Sequence, residues 1–66
     1  MNTRMFEVGQ AMMAEAEAMA QELEALTHAD PFDAEAFATL NTAYGAKFVE
    51  ASAQIAEATY AEEDDA

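Results

Sequence analysis

The chain has no cysteine and no tryptophan, one proline, two glycines, one histidine and only two basic residues, Arg4 and Lys47. Each shortage removes a class of protein. Without cysteine there is neither a disulfide framework nor a Cys/His set for structural zinc, the usual supports of very small folds. Two cations against fourteen Asp and Glu leave a net charge of −12, which repels nucleic acid and anionic membrane and favours basic partners. No run approaches the roughly 18 uninterrupted apolar residues of a membrane span. Met1 to Glu7 also lacks the basic region and apolar run of a signal peptide, so the expected location is the cytoplasm, away from membranes. Ser52 is the only serine and has no local base, and there is neither a Gly-rich phosphate loop nor a nucleophile elbow. Catalysis is not expected.

What is present is mostly alanine and glutamate. The apolar fraction of 53% includes 18 alanines, which favour helix strongly but bury little surface. A chain of 66 residues forms one small domain that hides only roughly 60% of its unfolded surface. Self-association or docking onto another protein is the remaining support. An acidic, lysine-poor surface also suits a halophile, where charge is an adaptation to salt.

Thr27-His28-Ala29-Asp30-Pro31-Phe32-Asp33 holds the only proline and divides two amphipathic stretches. Asn2 or Thr3 can cap the first, with Glu7 near the positive end of its dipole. Its large residues Met5, Val8, Met12, Met19, Leu23 and Leu26, with Ala16 in the gap, recur at threes and fours. Phe6, Met13 and Ala20 make a second stripe beside the first. Together they span about 160°, wider than the roughly 100° that one neighbour covers, so more than one neighbour is expected.

At the turn, Asp30 is placed as N-cap and Pro31 as first helical residue, with Asp33 following in the first turn. The second stretch aligns Phe37, Leu40, Tyr44, Phe48, Ala51 and Ile55. Folding there would set Val8 by Ala51 and Met5 by Ile55, to within one turn. The expected fold is all-α: an antiparallel two-helix hairpin over residues 1–61, with helix one about 3–27, a turn at 28–30 and helix two about 31–60. Residues 62–66 would be a flexible acidic tail. A homodimer or a partner would complete a four-helix bundle, through a narrow seam of Ala38, Gly45, Val49, Ser52 and Ala56.

No cofactor or metal is expected. Glu24 and His28 are four apart rather than the three of a di-iron Glu-x-x-His motif, and no acidic residue falls within either apolar stripe. Asp30, Asp33 and Glu35 lack the glycine and ligand spacing of an EF-hand. His28 suits the C-terminal end of helix one, where a protonated imidazole meets free carbonyls. Tyr44, Phe48 and the five methionines read as core filler.

The carboxylates carry the functional reading. Glu15 and Glu22, Glu17 and Glu24, and Glu50 and Glu57 form three rows, each pair seven residues and about 10 Å apart. Such rows can imitate a phosphate track in a basic groove meant for nucleic acid. Exposed helices ordinarily interleave Lys with Glu and gain from i,i+4 pairs; this chain forgoes them. The expectation is a non-catalytic acidic protein-binding module that occupies a basic surface of a partner, such as one in a nucleic-acid-binding complex, without touching nucleic acid itself. By physical analogy, a phage-type antagonist of host defence fits.

A rival reading is a structural or chaperone component of a secretion or assembly apparatus. Asp30-Pro31, followed by Tyr44, Ser52 and Ile55, resembles the turn and second helix of type III secretion needle subunits. The resemblance implies a helical hairpin that assembles into tubes. The chain departs from that pattern in its acidic tail, where a needle subunit continues as a longer, partly basic helix.

Overall fold

Two side chains, Asn2 and Asp33, set where the helices begin. In the computed structural model, which describes residues 1–61, α1 spans Thr3–Thr27 and α2 spans Ala34–Tyr60. They pack side by side as an antiparallel hairpin, with no strand among the described residues. The tail expected over 62–66 lies outside the described residues. The Cα trace is 14 × 10 Å across, the section of a single helix pair with no third layer.

The side-chain oxygen of Asn2 accepts a hydrogen bond from the Met5 N–H at 3.0 Å, satisfying one of the first amides of α1. Its own N–H donates to the Ala58 carbonyl at 2.9 Å, one of the last carbonyls of α2 and without an acceptor role in its own helix. Beside it, Gln54 Nε2 donates to the Met5 carbonyl at 3.2 Å. Two bonds between the helices thus close the open end of the hairpin.

At the other end the structure corrects the expected cap. Helix two starts at Ala34, not Pro31, and the connection covers residues 28–33 rather than 28–30. Asp33, not Asp30, is the N-cap: its carboxylate accepts from the Ala36 N–H at 3.0 Å, and its carbonyl accepts from the Phe37 N–H at 3.0 Å. The reason lies in the flanking aromatics. With Asp33 as cap, Phe32 precedes it and Phe37 occupies the fourth helical position, and their rings meet at 5.6 Å as a hydrophobic staple. Asp30 as cap would put Ala29 and Ala34 in those places and offer no such contact. Asp30 and Pro31 lie in the exposed connection, joined by a cis peptide.

The helices meet along small residues. Gly9, Ala16 and Leu23 of α1, seven apart, are buried, as are Ala51 and Ala58 of α2. Ala51 and Ala58 continue the line of Phe37 and Tyr44, which are half-buried. Val8 and Phe48, expected in the core, are instead 47% and 44% exposed. Val8 sits about 80° round α1 from Ala16, and Phe48 about 60° round α2 from Ala51, at about 100° per residue. Once alanines and a glycine draw the backbones together, the larger side chains can only flank the contact. The expected facing of Val8 with Ala51 is accordingly replaced by Gly9 against Gln54 and Ile55.

The contact at Gly9 leaves no room for a methyl group. A Cβ there would stand 2.6 Å from Ile55 Cγ1 and 3.2 Å from the Ile55 backbone nitrogen, whereas one at Gly45 would meet nothing within 4 Å. Gly9→Ala should therefore destabilise the hairpin by about 1 kcal/mol, overpacking of about 1–3 kcal/mol exceeding the gain in helix propensity of about 1. Gly45→Ala should stabilise it by up to about 1 kcal/mol. Thermal unfolding followed by circular dichroism reads both signs, and stabilisation by both would place the helix contact elsewhere. By the same measurement Asp33→Ala should cost about 1 kcal/mol, while Asp30→Ala should change little.

Candidate functional site

On either side of the small-residue seam runs a long face, and the two differ in chemistry. On the first, Met5, Met12, Met19 and Leu26 of α1 lie beside Leu40, Lys47 and Gln54 of α2, each set spaced by sevens and half-buried. The contacts across the helices fix this arrangement. Gln54 reaches the Met5 carbonyl, one shallow hollow joins Met12 to Glu50, Gln54 and Glu57, and another joins Leu26 to Glu22 and Leu40.

Carboxylates border this methionine floor on both helices. Glu15 and Glu22 form the α1 rim, and Glu50 and Glu57 the α2 rim, all exposed. Within each rim the two groups are about 10 Å apart along the axis. Glu17 and Glu24 do not join them. Two residues of offset turn the Glu17 row about 160° round α1 from the Glu15 row, which puts it at the edge of the opposite face. The six glutamates expected to form one acidic surface are thus divided four and two.

Lys47 lies in the middle of the floor. Its Nζ is 3.0 Å from Glu15 Oε1, and its side chain is 26% exposed. The Glu15 hydrogen bond, then the Glu15 charge, raise its pKa above the ordinary 10.5; partial burial opposes them, and the Glu50 charge adds to the rise. One ammonium therefore feels both rims. Arg4, the other cation, is exposed on the line of Glu22, five turns earlier, so among the described residues the acidic stretch of this face runs from Glu22 to Glu57.

The second face carries Phe6, Met13 and Ala20 of α1 beside Tyr44, Phe48 and Ile55 of α2. Tyr44 and Phe48 stack at a tilt, with ring centroids 5.9 Å apart. Outward from them come Ser52, Gly45, Ala38, Ala56 and Val49, an arc of about 160° on α2 without a charged residue. Val49 is 66% exposed. The seam expected to mediate self-association takes no part in the hairpin's own contact: Ala38, Val49, Ser52 and Ala56 are exposed, and Gly45 has open space before it.

His28 ends α1, its backbone N–H donating to the Ala25 carbonyl at 3.1 Å, and its side chain is exposed. Among the described residues no three His, Cys, Asp or Glu side chains converge as a metal would require. No described helix is long and apolar enough to cross a membrane. Comparison with protein-family models, curated proteins and solved structures found no match.

The charge distribution sets how the fold responds to salt. Among the described residues one rim ion pair opposes the mutual repulsion of a chain at −12, and repulsion is expected to be the larger effect. The melting temperature should therefore rise as sodium chloride is raised from about 0.01 to 0.15 M, where the screening length falls from about 30 to 8 Å. A fall would mean that the Lys47–Glu15 pair, and not the repulsion, dominates.

Proposed function

We propose that the chain is a non-catalytic acidic protein-binding module that occupies a basic surface of a partner, most specifically one that otherwise binds nucleic acid. The observation that supports this reading is the pairing of Glu15 and Glu22 with Glu50 and Glu57 along two rims of one face. A carboxylate every 10 Å on a rigid rod matches about every third phosphate of one strand, spaced at 3.4 Å per step. Such a face offers a basic groove a sparse, fixed imitation of a nucleic-acid backbone. A cytoplasmic antagonist of a nucleic-acid-handling complex is the role that suits it.

The opposite face supports a homodimer. A chain at −12 can approach a second copy only where it presents no charge, and the Phe48, Val49, Ser52 and Gly45 side of α2 is such a place. Two hairpins joined there make a four-helix bundle with the glutamate rims outward. That apolar face also keeps a second reading in play, a structural or assembly subunit in which the seam works and the charge keeps the free chain soluble.

Charge reversal separates the two. With a partner captured from the source cell, Glu22→Lys combined with Glu57→Lys should weaken binding by at least about tenfold, equivalent to about 1.4 kcal/mol. Binding to the unaltered chain should fall steeply with salt, and duplex DNA or RNA should compete. Gly45→Leu should instead leave partner binding intact and convert a dimer to a monomer by sedimentation. Loss of partner binding in Gly45→Leu, with charge reversal harmless, would establish the assembly reading in its place.

A further inference from the structure

The methionine floor has no place in pure charge mimicry. A surface that only imitated phosphates would gain nothing from Met5, Met12, Met19 and Leu26 held half-buried between its rims, because a nucleic-acid groove meets a backbone and not an apolar stripe. Methionine is flexible and polarizable, and suits a surface that must fit an apolar partner. From Met5 to Leu26 the floor runs 21 residues, about 31 Å, at the seven-residue spacing with which helices pack against helices.

We infer that this groove seats a basic amphipathic helix of a partner protein, its apolar stripe on the methionines and its Lys or Arg residues against both glutamate rims. The inference rests on the binding reading above and names the partner's chemistry. Charge complementarity selects this occupant over a second copy, whose own glutamates would be repelled by Glu15, Glu22, Glu50 and Glu57. Lys47 supplies an independent observation: the chain's own ammonium already sits on the floor, bonded to Glu15 at 3.0 Å with Glu50 nearby. An incoming helix repeats that contact on either side of it. Glu22 lies one heptad from Glu15, and Glu57 one heptad from Glu50, so the matching cations recur every seven residues, at positions flanking the apolar seam.

The test uses the full chain and two synthetic peptides of about 21 residues, the length of the floor. One carries leucine at the two seam positions of each heptad and lysine at the two flanking ones; the other is its scrambled isomer, with equal charge and composition. By calorimetric or fluorescence titration at fixed salt, the heptad peptide should bind at least about tenfold more tightly than the scrambled one. Joint replacement Glu22→Gln, Glu50→Gln and Glu57→Gln should weaken the heptad peptide by at least about tenfold, and Glu17→Gln, Glu24→Gln and Glu35→Gln, an equal change of charge, by less than about threefold. These are surface substitutions, so folding is retained, and circular dichroism verifies it. Equal binding of the two peptides, lost with the groove glutamates, would overturn the helix inference and leave the carboxylate reading standing. Equal sensitivity to both glutamate sets would overturn the location. Failure of both peptides to bind at low salt would overturn both readings.

Discussion

The structure depends on how closely two backbones can approach along Gly9, Ala16 and Leu23 on one side and Ala51 and Ala58 on the other. Hydrophobic burial there is small, since Leu23 is the only large side chain among the buried residues. What the seam supplies instead is geometry. Small residues at every seventh position bring the helices together and let Gln54 and Asn2 bond across the open end. They also push the larger side chains other than Leu23 towards the flanks. Both faces of the rod follow from that displacement: methionines line one side, and Phe6, Met13, Tyr44, Phe48 and Ile55 line the other.

Charge then differentiates the flanks. On the methionine side glutamates stand at the borders of both helices, and the chain's only lysine sits between them. The aromatic side of α2 carries none. The two flanks therefore differ in sign, with carboxylates bordering the methionine side and an uncharged stretch of α2 on the aromatic side.

Much of this architecture was legible in the residues. The hairpin and the limits of α1 follow from helix propensity, the single proline and polar side chains at the helix start, where Asn2 and Thr3 were both open as caps and the structure selects Asn2. The α2 cap was legible but misjudged: Asp30 and Asp33 are equivalent as hydrogen-bond acceptors, and only the Phe32–Phe37 contact separates them. The seam was partly legible, since Ala16 fell within the α1 stripe and Ala51 within that of α2. A search for large apolar stripes nevertheless placed Val8 and Phe48 where alanine and glycine belong. Within α1, about 100° per residue is enough to turn Glu17 and Glu24 away from Glu15 and Glu22, whereas the pairing of Glu15 and Glu22 with Glu50 and Glu57 depends on how the two helices meet.

By itself, then, the sequence determined the class of fold, the sign and size of the charge, and the lack of cysteine for a disulfide, because these depend on local propensity and composition. Only the tertiary structure decided which glutamates share a face, that a methionine floor lies between them and that Lys47 occupies it. Those facts depend on the rotation of each helix about its axis and on their relative register. Contact across the seam sets both, by close approach at Gly9 against Ile55 and by the hydrogen bond from the Asn2 N–H to the Ala58 carbonyl, between residues far apart in the chain.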